Sequence, residues 1–208
     1  MALRIVVISD THGMHERIAV PAGDVLVHTG DLTAHGTLED LRAFNAWLGR
    51  LPHRHKLIIA GNHDWICAEE PALVPQILDQ ATYLCDSGVT IGRISFYGSP
   101  WQPRFLDWAF NLDRMPLRRV WSQVPTGVDV LMTHTPPAGI LDRTMLGQAA
   151  GCAELRAALP RIRPRLHLFG HIHEGYGQTQ QDGTTFVNAS ACTLNYQPIN
   201  PPLAWDLE

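Results

Sequence analysis

The stretch Lys56–Asp64 (KLIIAGNHD) shows the arrangement on which the fold and the chemistry of this chain depend. Residues 56–60 form an apolar run with the length and composition of a strand that is buried on both faces. The run ends abruptly in a glycine and three polar side chains, Asn62, His63 and Asp64, which serve no packing purpose. In α/β sheets, ligands bind at the carboxyl ends of strands, so this stretch predicts a functional site at a sheet edge.

Four further apolar runs end in the same way. Taken alone, each cluster that follows a run is more typical of a turn than of a site. Taken together and in this order, five such endings predict one shared site rather than five turns. The other four runs and their clusters are Leu3–Ser9 before Asp10 and His12, Asp24–Thr29 before Gly30 and Asp31, Asp129–Met132 before His134, and Leu166–Phe169 before Gly170, His171 and His173.

The remaining pattern predicts a layered α/β sandwich with mixed sheets. Strands alternate with amphipathic helices early in the chain, and a hairpin follows at Tyr83–Gly98. The predicted helices are Thr37–Leu51, Pro71–Gln80 and Cys152–Leu159, and the closing strands are Thr184–Asn188 and Leu203–Leu207. Because the 208 residues contain no internal repeat, linker or low-complexity stretch, we predict a single domain over residues 1–208.

Composition excludes several classes of protein. Hydrophobic residues make up 45% of the chain and charged residues 17%, a balance that excludes disorder. A formal charge of −4 excludes a broad basic surface for nucleic acid, and the arginines at 156, 161, 163 and 165 are interpreted as a solvated helix end. Without a signal-type cleavage site or a membrane-length apolar stretch, we expect a cytoplasmic protein that does not enter membranes. The four cysteines form no CxxC pair and are expected to be reduced thiols.

The predicted metal ligands supply carboxylate, amide and imidazole donors and no thiolate. Such a set suits Mn, Fe, Zn, Co or Ni and disfavours soft metals. Seven ligands are too many for one ion and about right for two divalent ions, with Asp31 able to bridge them through its two oxygens. The seven residues are Asp10, His12, Asp31, Asn62, His134, His171 and His173.

The ordered pattern DxH, GD, GNH(D/E), H and GHxH resembles that of the calcineurin-like metallophosphoesterase superfamily. The resemblance implies a four-layer αββα sandwich of two mixed β-sheets flanked by helices, with a dinuclear site at one edge. It implies that Asp10, His12, Asp31 and His173 hold one metal, and that Asp31, Asn62, His134 and His171 hold the other. It also implies that His63, with Asn62, contacts the phosphate and protonates the leaving group, and that Asp64 orients the His63 ring.

A narrower resemblance covers nearly the full chain. The segments GSPWQP (98–103), WAFN (108–111), VNASACT (187–193) and NPPLAWDL (200–207) are similar to the animal metallophosphoesterase-domain-containing proteins, the brain-protein-239 group. This resemblance implies a phosphodiesterase of the cyclic-nucleotide type, acting on a small phosphodiester or nucleotide through a metal-bridging hydroxide. Gly30–His35 lacks the second aspartate and the arginine of the protein-phosphatase pattern GDxxDR, which favours a diester.

Several alternatives stay open from the residues alone. The same site would serve a phosphomonoesterase, a protein phosphatase or a nuclease, and a nucleotide-binding protein without activity is the alternative outside enzymology. His35 is interpreted either as a substrate-binding residue or as a surface histidine. Trp101, Trp108 and Phe110 either stack on a nucleobase or pack a loop. The remaining assignments are His28 and His167 to the core, His15, His53 and His55 to ordinary loops, and Glu174 and Tyr176 to the surroundings of the ligands. No pattern indicates an oligomeric state.

Overall fold

The structure, a computed structural model, describes residues 2–208. Its elements alternate between strand and helix in the first half and are mostly strands in the second. The strands are β1 (Leu3–Ile8), β2 (Val25–Thr29), β3 (His55–Ile59), β4 (Thr82–Tyr83), β5 (Ser87–Ile91), β6 (Ile94–Ser99), β7 (Gln102–Pro103), β8 (Asn111–Leu112), β9 (Val130–Thr133), β10 (Leu166–Phe169), β11 (Gly177–Gln181), β12 (Thr184–Asn188) and β13 (Leu203–Leu207). The helices are α1 (Leu38–Arg50), α2 (Trp65–Glu69), α3 (Val74–Ile77), α4 (Arg114–Gln123) and α5 (Ala153–Ile162).

The larger strands form two mixed sheets. The first has the order β13-β1-β2-β3-β4, with β1 to β4 parallel and β13 antiparallel at its edge. The second has the order β11-β12-β10-β9-β6-β5, with four parallel strands between two antiparallel edges. Because parallel strands end at the same edge, the carboxyl ends of β1, β2 and β3 lie side by side, as do those of β9 and β10.

Alternating side chains bury both faces of each sheet. Ile5 and Val7 of β1 pack into the core between the sheets, whereas Val6 and Ile8 pack under the helices of the first sheet. In the second sheet Val130 faces the inter-sheet core, and its neighbour Leu131 faces α4 and α5. This alternation explains why these strands read as unbroken apolar runs. Each fully buried Leu, Ile, Val or Phe side chain contributes about 1.5–3 kcal/mol to the free energy of unfolding.

The helices cover the outer faces of the two sheets. Helix α1 begins at a capping box in which Thr37 and Asp40 bond each other's backbone N–H groups, and it buries Phe44 and Trp47 against the first sheet. Trp121 of α4 and Leu155 of α5 belong to the core on the far side of the second sheet. Helix, sheet, sheet and helix therefore stack in four layers, and the predicted αββα sandwich is confirmed.

The helix predicted over Pro71–Gln80 is wrong in extent. Only the single turn α3 is helical there, and helix α2, which was not predicted, precedes it. Beyond α3, the side chain of Asn45 in α1 bonds both the Asp79 carboxylate and the Gln80 N–H, which draws these residues out of helical geometry. Helix α5 begins one residue after the predicted start and continues through Pro160 to Ile162.

Other expectations have mixed outcomes. The hairpin predicted within Tyr83–Gly98 is confirmed as β5 and β6, whereas helix α4 has no counterpart among the predicted elements. All four cysteines are free thiols, and three of them are buried. Within residues 2–208, no helix has the length and apolar character needed to cross a bilayer. The single-domain assignment stays a prediction.

Candidate metal centre

Five strand ends from both sheets converge on one site. Backbone hydrogen bonds join the segments that follow the strands: the Asp10 N–H donates to the Gly30 carbonyl at 2.9 Å, and the Gly170 N–H donates to the His134 carbonyl at 3.0 Å. A bridge between Ser9 and Ser190 links the two sheets beside the site. The seven predicted ligands therefore lie where the carboxyl ends of the strands of the two sheets meet.

The side chains of these ligands approach one another closely. His12 Nε2 lies 3.2 Å from His173 Nε2 and 3.6 Å from Asp31 Oδ2, and His173 Nε2 lies 3.4 Å from Asp10 Oδ1. His134 Nε2 lies 3.5 Å from Asp31 Oδ1, on the other oxygen of the same carboxylate. Asp31 thus stands between two groups of donors, the geometry that a carboxylate shared by two ions requires.

Asn62 and His171 complete the group around His134. Asn62 Oδ1 lies 2.9 Å from His134 Nε2, and the His171 ring centroid lies 5.0 Å from that of His134. His171 is half-buried, and its backbone N–H donates to both oxygens of Asp10 at 3.0 Å. The structure therefore brings all seven predicted ligands together.

The hydrogen bonds of two histidines show which nitrogen faces the site. Nδ1 of His134 lies 2.9 Å from the Thr29 carbonyl, and Nδ1 of His173 lies 3.0 Å from the Thr193 carbonyl. A carbonyl only accepts, so Nδ1 carries a proton in each ring, and Nε2 is the nitrogen that faces the site and presents a lone pair once a metal displaces its proton. When His134 is protonated, its Nε2–H donates to Asn62 Oδ1 at 2.9 Å, and when that proton leaves, the amide oxygen and the Nε2 lone pair become two acceptors that point at each other. Converging acceptors of this kind fit a divalent cation.

Buried negative charge controls the electrostatics of the site. Burial raises the pKa of Asp10, but the hydrogen bond and the charge of His173 lower it below its usual range. Burial lowers the pKa of both His134 and His173. Asp31 beside His134 and Asp10 beside His173 outweigh this effect and raise each pKa to about 9. The two aspartates are therefore ionised at neutral pH, and they attract positive charge into a buried space.

Four of the ligands have strained backbones. Asp10, His12, Asp31 and His171 have φ angles of 52°, 45°, 55° and 68°, in the left-handed region that residues with a Cβ seldom adopt. Each such residue costs on the order of 1–3 kcal/mol, and such strain clusters at functional sites. These conformations turn each side chain back toward the common centre directly after its strand.

Glycines permit the close approach of the strand ends. A Cβ on Gly170 would lie 1.9 Å from Asp10 Oδ2, and a Cβ on Gly61 would lie 2.3 Å from Asp31 Oδ1. Gly30 has a φ of 104°, so it provides the sharp turn expected from the sequence. At Gly61 and Gly170 a glycine is needed for a different reason: the absence of a side chain leaves room for the carboxylates of Asp31 and Asp10.

Two further groups support the ligands. The Ser190 hydroxyl lies 2.9 Å from Asp10 Oδ2, and the Gly30 N–H donates to His28 Nδ1. The second bond leaves the proton of His28 on Nε2, from which it donates to the Thr11 hydroxyl at 3.0 Å. This arrangement agrees with the core interpretation of His28 and ties the loops after β1 and β2 together. Ser190 lies in the VNASACT segment, but no spacing in the sequence connects it to Asp10.

His63 lies at the wall of the site beside the metal-binding group. Its backbone N–H donates to Asp31 Oδ1 at 2.9 Å, and its ring meets the His12 ring edge to face, with centroids 4.6 Å apart. On another side the indole of Trp108 packs over it at 4.3 Å. His63 thus faces the space in which a ligand of the metals would lie.

The role expected for Asp64 is not what the structure shows. Its buried carboxylate accepts hydrogen bonds from the backbone N–H groups of Gly61, Leu32 and Thr33 and from the Thr33 hydroxyl. No hydrogen bond joins it to the His63 ring among the described residues. Burial and the nearby Asp31 raise the pKa of Asp64 to about 7, while its hydrogen bonds lower it. Asp64 therefore ties the loop after β3 to the loop after β2.

His35 does not reach the site. Its side chain is 80% exposed, its ring lies 3.9 Å from the Asp40 carboxylate, and its N–H donates to the same carboxylate at the start of α1. The structure thus agrees with the surface interpretation and not with a role in substrate binding.

The interpretation of His15 and His53 as ordinary loop residues is wrong, because both are buried. His15 packs on Phe44 and Trp47, and His53 Nε2 lies 3.0 Å from the Pro21 carbonyl.

The other singled-out side chains are placed as follows. His167 is buried beside Phe169 and Phe186, in agreement with its core assignment. The assignment of His55 to a loop is wrong, because it is the first residue of β3. Trp101 donates from its indole to Asp86 at 2.7 Å, and Phe110 is buried. The Tyr176 hydroxyl donates to the Pro201 carbonyl at 2.8 Å.

An open cavity of about 630 Å³ leads from the solvent to the ligands. One wall consists of His12, Asp31, Asn62, His63, His171 and His173. Ile172 and Glu174 line the cavity from the same segment as His171 and His173. Three loops supply the rest, and much of their lining is apolar: Pro103, Phe105, Trp108, Met145, Leu146, Ala149, Ala150, Leu194 and Tyr196. Apart from Trp108, no pattern in the sequence predicts these residues, because the loops have no regular period.

Comparison with known proteins agrees with this geometry. The family model described as calcineurin-like phosphoesterase matches residues 3–175, most of the chain. The chain belongs to the calcineurin-like phosphoesterase family. Within it, the chain is 45% identical to human metallophosphoesterase domain-containing protein 1 over 98% of this chain and 71% of the relative. It is also 39% identical to a UPF0046 protein of Caenorhabditis elegans over 99% of this chain and 60% of that protein.

Solved structures agree on the fold. Two of them match this chain over their full lengths, with TM-scores of 0.73 and 0.62 at 15% identity, and the second is a protein of Thermus thermophilus. Membership of the family makes the chain a metal-dependent phosphoesterase. The clustered carboxylate and imidazole donors fit the divalent ions that this activity requires.

Proposed function

We propose that this calcineurin-like phosphoesterase is a phosphodiesterase that uses two divalent metal ions on a small diester or nucleotide. The observation that supports it best is the position of Asp31, whose Oδ2 faces His12 and whose Oδ1 faces His134. We assign one ion to Asp10, His12, Asp31 and His173, and the other to Asp31, Asn62, His134 and His171. When bound, such a pair supplies a nucleophile derived from water and neutralises charge on the phosphoryl oxygens.

The residues of the chain orient the phosphate and move the proton. In hydrolysis an oxygen from water bonds to phosphorus, the bond from phosphorus to the leaving oxygen breaks, and that oxygen gains a proton. We assign the donation of this proton to His63, because its ring faces the cavity next to His12, one of the proposed ligands. Asn62 also lines the cavity, so its amide is available to the phosphate.

Preference for a diester rests on the scarcity of free positive charge. A phosphate diester carries one negative charge, whereas a monoester carries close to two at neutral pH. Among the described residues that line the cavity, Arg104 is the sole arginine, and lysine is absent. The guanidinium of Arg104 is already paired with Asp113 at 2.8 Å. The cavity therefore suits the lower charge of a diester better than that of a monoester.

The identity of the ions and the location of the protein are parts of the same proposal. Donors made of nitrogen and oxygen favour Mn, Fe, Zn, Co or Ni. The cytoplasmic location rests on the sequence alone.

A metal titration tests the proposal. Protein stripped with a chelator is titrated with Mn²⁺ while the hydrolysis of bis-p-nitrophenyl phosphate and of p-nitrophenyl phosphate is followed. We expect diester activity to appear as about two ions bind and to exceed monoester activity. Equal or greater monoester activity would contradict the diester preference. Binding of nucleotide without any turnover at full metal occupancy would favour a non-catalytic binding protein.

A further inference from the structure

We propose that the diester carries a long acyl or alkyl chain, and that this chain lies against the apolar wall of the cavity beside the metal centre. The inference rests on the proposed function and names the substrate class of the same site. Here the apolar wall means Phe105, Met145, Leu146, Leu194 and Tyr196, all of which line the cavity.

Exposed apolar side chains are concentrated at this cavity. Nine large hydrophobic residues of the described chain are exposed, and the five of the apolar wall are among them. Met145 and Leu146 are 73% and 79% exposed, and Phe105 is 61% exposed. Scattered apolar side chains need no explanation, but a contiguous group around a concave site marks a ligand-binding surface.

The loops that form the wall are hydrogen-bonded to the metal-binding segments. The Ala109 N–H, in the loop of Phe105, donates to the Asn62 carbonyl at 3.2 Å. The Met145 N–H donates at 2.7 Å to Glu174, the residue after His173. The Thr193 carbonyl, next to Leu194, accepts from Nδ1 of His173 at 3.0 Å. All three loops are thus held relative to the metal centre, as a preorganised substrate wall must be.

The chemistry of the wall favours hydrocarbon over a nucleobase. A base is recognised through donors and acceptors along its edge, together with stacking on aromatic rings. Besides the Trp108 indole and the Tyr196 hydroxyl, the same loops place three polar side chains at the cavity: Thr144, Gln148 and Arg104, the last of which is paired with Asp113. Met145, Leu146 and Leu194 are aliphatic. Contact with them removes the surface of an alkyl chain from water, which favours binding without any polar partner.

The length of the chain can be varied without changing the reaction. Methyl and octyl p-nitrophenyl phosphate have the same leaving group, and hydrolysis of either releases p-nitrophenolate and the alkyl phosphate. With Mn²⁺-loaded protein and the octyl ester below its micelle concentration, we expect kcat/KM for octyl to exceed that for methyl at least about tenfold. Full burial of each methylene would give about fourfold per group, so tenfold requires only partial burial. A smaller ratio would overturn the proposal.

Variants locate the effect on the wall. In Leu146→Ser and Met145→Ser we expect most of the octyl preference to disappear while the methyl ester is hydrolysed as before. Met115→Ser is the matched control, since Met115 is 59% exposed on α4 and does not line the cavity. These side chains are exposed, so the variants should melt at the temperature of the parent protein. An octyl preference unchanged in both wall variants would reject the wall as its source.

Two results separate this inference from the proposed function. If neither ester is hydrolysed at full metal occupancy, the phosphodiesterase proposal itself fails. If the methyl ester is hydrolysed but thymidine 5′-(p-nitrophenyl phosphate) is a better substrate than the octyl ester, the diesterase stands and the alkyl-chain inference fails. A higher kcat/KM for octyl than for the thymidine ester supports the inference.

Discussion

The indole of Trp108 packs on the imidazole of His63, with 4.3 Å between the ring centroids and 34° between the ring planes. His12 contacts the same imidazole edge to face. Asp64, which the family resemblance pairs with this histidine, has its oxygens bonded elsewhere. The orientation of His63 therefore depends on ring packing more than on a carboxylate.

Replacing Trp108 with alanine should slow turnover without loss of metal. Without the indole the His63 ring is free to rotate, and we expect kcat for a diester to fall about tenfold, less than the full contribution of a general acid. Trp108→Phe keeps an aromatic face and should recover most of the rate. A large rise in KM with kcat unchanged would show instead that Trp108 binds substrate. Kinetics and metal analysis of both variants decide between these roles.

His63 and Asp31 should behave differently on replacement. His63→Ala leaves every proposed ligand in place, so metal content should stay at that of the parent while the rate falls by about 10²–10⁴. Asp31→Ala removes the carboxylate between the two groups and should abolish paired metal binding and activity together. His35→Ala is the control, because this exposed histidine lies outside the cavity and its loss should change neither quantity. Loss of metal from His63→Ala would contradict the assigned roles.

Asp64 is expected to matter first for stability. Removing its carboxylate in Asp64→Ala leaves buried N–H groups of Gly61, Leu32 and Thr33 without an acceptor, and each such group costs about 1–3 kcal/mol. Urea unfolding should therefore show that the free energy of unfolding of this variant is several kcal/mol lower than that of the parent protein. Asp113→Ala removes an exposed carboxylate and should cost about 1 kcal/mol or less. Parent-like stability with slow turnover would instead support a role through His63.

Gly170 should not tolerate a methyl group. The Cβ of Gly170→Ala would lie 1.9 Å from Asp10 Oδ2 and 2.1 Å from the Ser9 hydroxyl, so Asp10 must move and metal affinity should fall. Gly49→Ala is the matched control, since this glycine lies in α1 and the nearest atom, on Gln80, would be 3.4 Å away. Alanine there should leave metal binding unchanged and raise stability by up to about 1 kcal/mol. Metal titration and thermal unfolding of both variants test this, and parent-like metal affinity in Gly170→Ala would refute it.

His167 should make the fold sensitive to acid. Burial lowers its pKa from 6.5 to about 3, so it stays neutral in the folded chain while the unfolded chain takes up a proton below pH 6.5. Because of this group, the free energy of unfolding then decreases by up to about 1.4 kcal/mol per pH unit as the pH falls from 6.5 toward 3. In His167→Gln the decline of the unfolding free energy over this range should be shallower by that amount. Urea unfolding of chelator-treated protein at several pH values measures it, and equal slopes would contradict the assignment.

The sequence predicts well which residues meet at the candidate metal centre, because these residues follow apolar strands directly. Asp10 and Asn62 each lie within a few residues of a buried run, so local pattern and sheet topology together indicate where they meet. The role of Asp64 could not be predicted in this way. Its hydrogen-bond partners Leu32 and Thr33 precede it by more than 30 residues, and local sequence does not pair them.

The apolar wall and the buried loop histidines are the parts that sequence reasoning misses. Leu194 and Tyr196 reach the cavity because their loop folds back through a bond from the Asn200 N–H to the Ala191 carbonyl. His15 is buried by Phe44 and Trp47, residues of a helix about 30 positions away. Such placements depend on loop conformation and tertiary contact, which leave no periodic signal.

The bond between Ser190 and Asp10 joins residues 180 positions apart, and β13 pairs with β1 along the edge of the first sheet. On the ribosome, β1 leaves the exit tunnel long before either partner has been translated. Asp10 of a nascent chain therefore cannot take its native hydrogen-bonded position until residue 190 has emerged. Until then the open edge of β1 is available for mispairing with other chains. We therefore expect a metal ion to be captured in the native geometry only after the segment that carries Ser190 has been synthesised and has joined the first sheet.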